Sequence, residues 1–247
     1  MGFPIPQYIA NVLVEIGDNL EFQKLNQVIF SVIKQKIPSK SDEEVWDYAE
    51  QYEGDIAKEL FIKTNDNRID GITLNFNIIE EDDGFYIKFL ETPEILLLRR
   101  LQGDTSDNFE IFCKKILDKL GGKSSVEGGT DDGGIDFTAY DLKLHNLPFL
   151  STKGSRIFLI GQAKRYKDGN HVKEKEVKYF IGCSVQRIEE IKKTRAEQFG
   201  IFQPIILAFW TTSDFHVDAK NAARDFGIWY LSGIALCQLA IQLGVEY

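Results

Sequence analysis

The sequence predicts an α/β fold, a central mixed sheet flanked by helices, preceded by a smaller helical domain that contains a β-hairpin. In the second half, apolar residues at helical spacing alternate with apolar runs of strand length, which is the order of an α/β domain. In the first half, three helical patterns precede two strand-like segments joined by the hairpin turn Asp82-Asp83-Gly84. A polar stretch at 102–108 separates the halves, so we expect one domain at 1–104 and another at 105–247.

The N-terminal domain is predicted from its periodicity and its turn-forming residues. Ser41 and Glu44 have the spacing of a capping box, in which each side chain binds the backbone amide of the other residue. This box begins a helix whose apolar side continues to Leu60. Residues 64–71 are rich in turn-forming types, so turns are predicted there. The remaining elements are predicted as helices at 4–16, 25–33 and 94–101 and strands at 72–78 and 85–90.

Three helices followed by a hairpin is the order of a winged helix, a fold that often recognises DNA. The third helix would be the recognition helix, but acidic residues dominate it over Lys58 and Lys63: Asp42, Glu43, Glu44, Asp47, Glu50, Glu53, Asp55 and Glu59. DNA phosphates repel such a surface. The sequence therefore favours a protein-contact, dimerisation or regulatory role for residues 1–104.

The second domain is predicted as alternating helices and strands. Asn108 is the expected cap of its first helix, which buries apolar residues from Phe109 to Leu120 and ends at Gly121-Gly122. The later elements are predicted as strands at 123–127, 135–140, 157–164, 204–211 and 228–231, and helices at 172–194, 215–226 and 233–243.

Charge is divided unevenly along the chain, whose formal net charge is −9. Residues 1–104 hold 10 Lys+Arg and 20 Asp+Glu, a net of −10, whereas residues 105–247 hold 19 and 18, a net of +1. Residues 153–195 hold 12 basic and 5 acidic side chains, a net of +7. An acidic protein is a poor non-specific DNA binder, but a local basic face can still contact phosphates.

The cysteines, the first residues and the lengths of the apolar runs together indicate the cellular compartment. Cys113, Cys183 and Cys237 are widely spaced, odd in number and without a Cys-x-x-Cys pair, which favours reduced, buried thiols over disulfides or a zinc site. The first residues lack the charged start and apolar run of a signal peptide, and no apolar run approaches the ~20 residues that span a bilayer. The sequence therefore predicts a cytoplasmic protein without a membrane partner.

The functional hypothesis depends on two segments between residues 128 and 164. A glycine-rich turn leads to Asp136 at the start of one predicted strand, and another predicted strand ends in Gln162-Ala163-Lys164. Side chains alternate along a strand, so Gln162 and Lys164 point the same way. If the two strands are neighbours, an acid, an amide and an ammonium meet at one edge of the sheet. Such a set suits the binding of a divalent metal and the activation of water on a phosphodiester.

The run Asp132-Gly133-Gly134-Ile135-Asp136, followed by Gln162-Ala163-Lys164, resembles the PD-(D/E)xK nuclease superfamily and, within it, the Mrr-like restriction endonucleases. The resemblance covers roughly residues 105–243, including Trp210 to Phe215, and leaves the N-terminal part without a family. It implies a restriction-endonuclease-like fold and a metal-dependent DNA endonuclease, type IV restriction-like, in restriction or anti-phage defence. Gln162 stands where most relatives carry an acid, so metal affinity is expected to be modest.

The resemblance also implies which residues act. Four are expected to be catalytic: Asp136, Gln162, Lys164 and Glu110. The expected metal ligands are Asp136, Glu110 and the backbone carbonyl of Ala163, for Mg²⁺ with Mn²⁺ as a substitute. Two alternatives stay open, because Glu110 also suits the dipole of a helix N-terminus and Asp132 either positions the turn or supports the metal ligands.

DNA is the expected partner of the second domain. Its expected contacts are basic residues at and beyond the motif: Arg165, Lys167, Lys173 and Lys175. The alternative is a solvated helix face, since Glu174 and Glu176 interleave with the lysines. Duplex cleavage with one active site per chain requires a homodimer or two successive nicks, and the sequence leaves both open. The competing hypothesis is a catalytically silent or partner-gated nuclease fold that binds a partner protein through residues 1–104.

Overall fold

The structure is a computed structural model of the chain, and it describes residues 3–16, 22–69, 76–89, 92–127, 134–142, 157–166, 170–194 and 203–247. The chain divides into two compact units, Met1–Leu96 and Leu97–Tyr247. The division falls inside the helix Pro93–Gly103, ahead of the polar stretch at which the sequence predicts a domain boundary. Each unit is described below by itself.

The first unit combines helices with a small antiparallel sheet. Its elements, in chain order, are α1 (Pro6–Ile16), β1 (Gln23–Lys24), α2 (Leu25–Lys36), α3 (Asp42–Ile69), β2 (Phe76–Glu81), β3 (Gly84–Phe89) and the start of α4 (Pro93–Gly103). Strand β3 lies between β1 and β2 and is antiparallel to both. Apolar residues of all three complete helices and of the hairpin share one core, which includes Leu13, Ile33, Leu60 and Ile87.

The capping box at the start of α3 is confirmed, but the predicted end of the helix is wrong. The Glu44 amide donates to Ser41 Oγ at 3.2 Å, and the Ser41 amide donates to Glu44 Oε2 at 3.1 Å. The helix then continues to Ile69, through the segment predicted as turns. One reason is that Thr64 Oγ1 donates to the Leu60 carbonyl at 2.9 Å, so a turn-forming residue satisfies its hydroxyl within the helix. Residues 70–75, which contain most of the strand predicted at 72–78, lie outside the described residues.

The second unit is built around a five-stranded mixed sheet. Its elements after α4 are α5 (Ser106–Lys119), β4 (Lys123–Val126), β5 (Phe137–Tyr140), β6 (Phe158–Lys164), α6 (Glu174–Thr194), β7 (Ile205–Thr211), α7 (Val217–Asp225), β8 (Trp229–Leu231) and α8 (Gly233–Gln242). The strand order is β4-β5-β6-β7-β8. Strands β4, β5 and β6 pair antiparallel, whereas β6, β7 and β8 pair parallel.

Helices cover both faces of this sheet. One face packs residues of β6 such as Phe158 and Ile160 against Val177 and Phe180 of α6 and against the alanines of α7. Helix α5 packs against β4, β5 and β6, and α8 packs against β7 and β8. The predicted α/β fold with a mixed sheet flanked by helices is therefore confirmed.

The cap predicted for α5 is wrong, although the helix itself is found. The N-cap is Thr105, whose Oγ1 accepts a hydrogen bond from the Asn108 amide at 3.2 Å. Asn108 therefore lies in the first turn, and its side chain donates to Asp104 Oδ1 at 2.6 Å. Thr and Asn are both good caps, so composition alone did not fix the first residue of the helix.

Two other features concern membrane-spanning helices and the cysteines. Among the described residues, no helix is both long enough and apolar enough to cross a membrane. No disulfide joins the three cysteines in the described part of the chain, and the prediction that all three are buried is wrong for one of them. Cys113 and Cys237 are buried, whereas Cys183 is partly exposed.

Candidate active site

The candidate site lies where the start of β5 meets the end of β6. The two strands are antiparallel neighbours with Phe137 opposite Gly161, so these two strand ends lie at the same end of the sheet. Asp136 directly precedes β5, and its amide donates to the Gly161 carbonyl at 3.0 Å. The structure thus brings Asp136 next to the strand that carries Gln162 and Lys164.

The Asp136 carboxylate is anchored to the facing strand. Its Oδ2 accepts a hydrogen bond from the Ala163 amide at 2.6 Å. Hydrogen bonds to a charged acceptor are short and stronger than neutral ones. This bond fixes the carboxylate beside the residue that separates Gln162 from Lys164.

The Gln162 side chain is buried at the same place. It is 2% exposed, and its Oε1 has no hydrogen-bond partner within the described part of the chain. Leaving such an acceptor unsatisfied costs about 1–3 kcal/mol. A cation or a bound water would satisfy this oxygen, and a non-polar neighbour would not.

A glycine makes the close approach to Gln162 possible. Gly134 has a φ of +76°, a region that favours glycine. A Cβ on Gly134 would lie 3.4 Å from Gln162 Nε2 and 3.1 Å from Cε1 of Tyr179, a residue of α6. The second glycine of the motif therefore serves both the turn and the packing around the amide.

Lys164 ends β6 and is partly exposed. Its backbone carbonyl accepts hydrogen bonds from Thr211 Oγ1 at 2.7 Å and from the Thr212 amide at 3.2 Å. Across the residues that the structure describes, no hydrogen bond or ion pair is found for its ammonium group. The backbone of Lys164 is thus fixed while its charge can interact with a substrate.

Thr211, the last residue of β7, and Thr212, which follows it, form a buried support for this strand end, and sequence reasoning gave their side chains no role. Thr212 Oγ1 accepts from the Tyr166 amide and donates to the Tyr166 carbonyl, both at 2.9 Å. The Thr212 carbonyl accepts from Gln102 Nε2 at 2.9 Å. Thr211 and Thr212 are fully buried. The sequence signal that could have identified these threonines is their position as polar residues at the end of an apolar strand. The local pattern, however, does not identify their hydrogen-bond partners.

The same strand end is tied to the start of α6. The Tyr166 hydroxyl donates a short hydrogen bond to Glu176 Oε1, and Glu176 Oε2 accepts from the Lys173 amide at 2.9 Å. Burial and then the Glu176 carboxylate raise the pKa of Tyr166 above its usual range, so the hydroxyl keeps its proton. Glu176, predicted only as an interleaved surface charge, links β6 to α6.

Glu110 lies in the first half of α5, and its electrostatic influence reaches the same region. Burial raises the pKa of the Cys113 thiol well above its usual value, and the Asp136 and Glu110 carboxylates raise it further. Both acids therefore act on one buried thiol that lies one turn after Glu110. The structure brings Glu110 into the electrostatic neighbourhood of Asp136 without a direct contact between them being established.

A second, partly buried carboxylate stabilises the edge of the sheet beside Asp136. The Glu127 amide donates to the Asp136 carbonyl at 2.9 Å. Its side chain accepts from Ser125 Oγ at 3.0 Å, Thr138 Oγ1 at 2.6 Å and Arg187 Nη2 at 2.5 Å. Burial opposes ionisation, but these hydrogen bonds outweigh it and hold the pKa of Glu127 below its usual range. This network connects β4, β5 and α6, and sequence reasoning did not anticipate it.

The predicted DNA contacts lie in different environments. Arg165 Nη1 donates to the Gln102 carbonyl at 2.9 Å, so this guanidinium already takes part in holding α4. Lys173 and Lys175 are exposed at the start of α6. Asp132 and Lys167 lie outside the described residues.

The oxygen atoms at the strand ends suit a hard divalent cation. Among the described residues, no group of three or more His, Cys, Asp and Glu side chains is placed to hold a metal ion. However, the Asp136 carboxylate and the buried Gln162 amide oxygen are the oxygen donors that Mg²⁺ prefers, and Mg²⁺ commonly keeps several waters with only one or two carboxylates. The residues present therefore fit such an ion with modest affinity.

Comparison with known proteins gives a family match over the second unit. The Mrr catalytic-domain family, described as a restriction endonuclease, matches residues 101–240. No curated protein matches the chain.

Solved structures give more distant likenesses. The restriction endonuclease MspJI in complex with a 27-mer oligonucleotide is 16% identical, with a TM-score of 0.40 over 62% of this chain and 32% of that chain. The restriction endonuclease FokI is 12% identical, with a TM-score of 0.41 over 97% of this chain and 45% of that chain. Protein VC1899 from Vibrio cholerae is 14% identical, with a TM-score of 0.28 over 98% of this chain and 57% of that chain.

This chain spans from about a third to just over half the length of those proteins. Family membership rests on the sequence match, which covers more than half of this chain and includes Asp136, Gln162 and Lys164. The resemblance predicted from the motifs is confirmed, and the chain belongs to the restriction endonuclease family with an Mrr catalytic domain.

Proposed function

We propose that this protein is a divalent-metal-dependent DNA endonuclease, with Mg²⁺ as its natural cofactor and Mn²⁺ as a substitute. The observation that carries the proposal is the buried Gln162 amide oxygen, which has no partner among the described residues and belongs to the residue directly before Ala163, whose amide anchors the Asp136 carboxylate. A fold that buries an unsatisfied acceptor next to a carboxylate gains free energy when a cation binds there.

Each residue of the candidate site would have its own role in phosphodiester hydrolysis. Asp136 and Gln162 would hold the ion, with Glu110 and the Ala163 carbonyl as further oxygen donors. A bound divalent cation supplies positive charge that offsets the charge developing on the phosphate. Lys164 contributes a cation that orients the attacking water and favours its loss of a proton. The Thr211 and Thr212 hydrogen bonds hold the backbone of Lys164 in place for this task.

DNA contact by the second unit is supported by the exposed lysines at the start of α6. The Lys173 amide binds Glu176, which also binds Tyr166 at the end of β6, so in the proposed nuclease Lys173 and Lys175 would contact phosphates near the one that is cleaved. Arg165 and Lys167 are further proposed contacts. We further propose a type IV restriction-like role in anti-phage defence, in the cytoplasm, which the family match and the absence of disulfides among the described cysteines support.

The test is conversion of supercoiled plasmid to nicked and linear forms with Mg²⁺ present. Lys164→Ala and Asp136→Asn are each expected to lower the rate by at least about 100-fold, as for loss of a catalytic group. Matched controls are Lys119→Ala and Asp225→Asn, which change exposed residues outside the site and are expected to retain the wild-type rate.

Retained cleavage by Lys164→Ala, with its fold verified by circular dichroism, would contradict the assigned site. Failure of the wild type to cleave methylated, unmethylated or single-stranded DNA, alone or with added cell extract, would contradict the endonuclease itself. That second outcome would favour the competing hypothesis, a silent nuclease fold that acts as a binding module through residues 1–104.

A further inference from the structure

The first unit contains a groove that plays no part in the proposed nuclease site. It has a volume of about 420 Å³ and lies between the N-terminal segment and α3. Aromatic, acidic and amide side chains line it together with apolar residues: Phe3, Tyr48, Tyr52, Glu44, Asp47 and Gln51. Such a combination favours a ligand that is cationic at one end and apolar along its stem.

The aromatic wall of the groove is fixed by packing. The rings of Phe3 and Tyr48 are stacked with centroids 4.8 Å apart, and those of Tyr48 and Tyr52 are 4.7 Å apart. The Tyr48 hydroxyl donates to the Pro4 carbonyl at 2.6 Å, which joins the N-terminal segment to α3. Three connected rings thus form one wall, in which Tyr48 is buried while Phe3 and Tyr52 are partly exposed and can offer a π face to a cation.

The protein already places one of its own cations against this surface. Lys40 Nζ lies 4.9 Å from the centroid of the Phe3 ring and 2.6 Å from Glu44 Oε1. An ammonium group between a ring and a carboxylate is the arrangement expected for a cation–π site. The end of the groove next to Phe3 and Glu44 therefore already binds a cation, Lys40, in the way inferred for an external ligand.

Asp47 supplies the acid for the rest of the groove. It lies one turn after Glu44 on α3 and next to Tyr48, and its carboxylate is exposed. Within the part of the chain that the structure describes, no ion pair or hydrogen bond is found for this carboxylate. The exposed face of α3 carries several further acids, so the approaching partner is expected to be basic rather than a phosphate backbone.

We propose that this groove binds a cationic side chain, an arginine or lysine, from a basic segment of a partner protein. The charged group would lie beside Asp47, and the aliphatic stem would lie along the partly exposed Tyr52 ring. The proposal assigns a ligand class to the first unit, and it does not depend on nuclease activity in the second.

The test uses the full-length chain and a fluorescein-labelled peptide of alternating arginine and serine, followed by fluorescence anisotropy. Asp47→Asn is expected to weaken binding about fivefold, the loss of one exposed charge contact next to a ring. Asp55→Asn is the matched control, since it removes the same charge from an exposed position of α3 outside the groove, and less than about twofold weakening is expected. Replacing every arginine of the peptide by neutral citrulline is expected to abolish the Asp47-dependent part of the affinity.

Two further measurements keep the proposal open to refutation. Tyr52→Leu, which retains an apolar side chain and is checked for folding by circular dichroism, is expected to weaken peptide binding as Asp47→Asn does. Equal weakening by Asp47→Asn and Asp55→Asn would show only general attraction to an acidic helix and would overturn the proposal. Equal affinity for the arginine and citrulline peptides, or binding of a short DNA duplex that Tyr52→Leu weakens, would overturn it too.

Discussion

Gly161 is the position at which the geometry of the candidate site is most sensitive to one added methyl group. It lies within β6 opposite Phe137. A Cβ there would lie 1.9 Å from Cε2 and 2.2 Å from Cζ of the Phe137 ring, far inside van der Waals contact. The ring cannot move aside easily, because Phe137 is fully buried and its centroid lies 5.0 Å from that of Trp210. Gly161→Ala therefore forces β5 away from β6 or the ring into its neighbours.

The expected size of this effect follows from the cost of overpacking. Extra methyl groups in a packed core cost about 1–3 kcal/mol, and a contact below 2 Å places this site at the upper end, about 3 kcal/mol. For a domain of this length that corresponds to a fall in Tm of about 6–12 °C. Cleavage should fall as well, because the Asp136 amide bonds to the Gly161 carbonyl and any shift of β5 displaces Asp136 from Gln162.

Thermal unfolding of purified variants measures this effect, with Gly182→Ala as the matched control. Gly182 lies in α6, and no atom lies within 4 Å of the position of an added Cβ. The control should gain up to about 1 kcal/mol from helix propensity. The double variant Gly161→Ala with Phe137→Leu should recover part of the lost stability, because the smaller side chain leaves room. A Gly161→Ala protein that unfolds within about 1 °C of the wild type would refute the reasoning.

Three further predictions follow from the site. Gln162→Glu should bind Mg²⁺ or Mn²⁺ at least as tightly as the wild type in calorimetric titration, because it adds a charged oxygen ligand. Thr212→Val should lower the free energy of unfolding by about 1–3 kcal/mol, because it leaves the partly buried amide of Tyr166 without its hydrogen-bond partner, and should also slow cleavage. Glu127→Gln should be less stable than the wild type near neutral pH, and the difference should shrink with acidification in chemical denaturation. The sign follows because the pKa of Glu127 is lowered by folding, so its stabilising contribution is present above the unfolded pKa and disappears as pH falls through the folded pKa.

Each of these has an outcome that contradicts it. Weaker metal binding by Gln162→Glu would show that the amide makes a contact that a carboxylate cannot replace. Thr194→Val, at an exposed hydroxyl that donates to the Glu190 carbonyl, is the control for Thr212→Val, and equal losses would remove the special role of Thr212. A stability difference for Glu127→Gln that stays constant down to about pH 3 would show that the Glu127 carboxylate is not stabilised by ionisation.

The order of elements in the second unit was predictable because each element has a local signature. The apolar periodicity of α5 and the apolar runs of β6 and β7 are contained in a few consecutive residues, and their bounds in the structure differ from the predicted ones by one to three residues. The two-residue spacing of Gln162 and Lys164 likewise needs only the alternation of a strand.

The supports of the site were not predictable, because their partners are distant in sequence. Thr212 and Tyr166 are 46 residues apart, and Glu127 and Arg187 are 60 apart. Nothing in the local pattern around Arg165 distinguishes a guanidinium that binds the Gln102 carbonyl from one that contacts DNA. Strand β1 was missed for the same reason, since two residues carry no periodicity and the pairing with β3 defines the strand.

The bonds from Tyr166 through Glu176 to Lys173 have a consequence for where a bound polymer would be cut. They tie the end of β6 to the start of α6, so they restrict changes in the separation between Lys164 and the exposed lysines. In the proposed nuclease, the phosphate bound by Lys173 and Lys175 and the phosphate that is attacked would then lie a fixed number of nucleotides apart on any DNA sequence. The enzyme would cut at a set distance from the phosphates that these lysines bind. Glu176→Gln should therefore broaden the distribution of fragment ends without moving its centre.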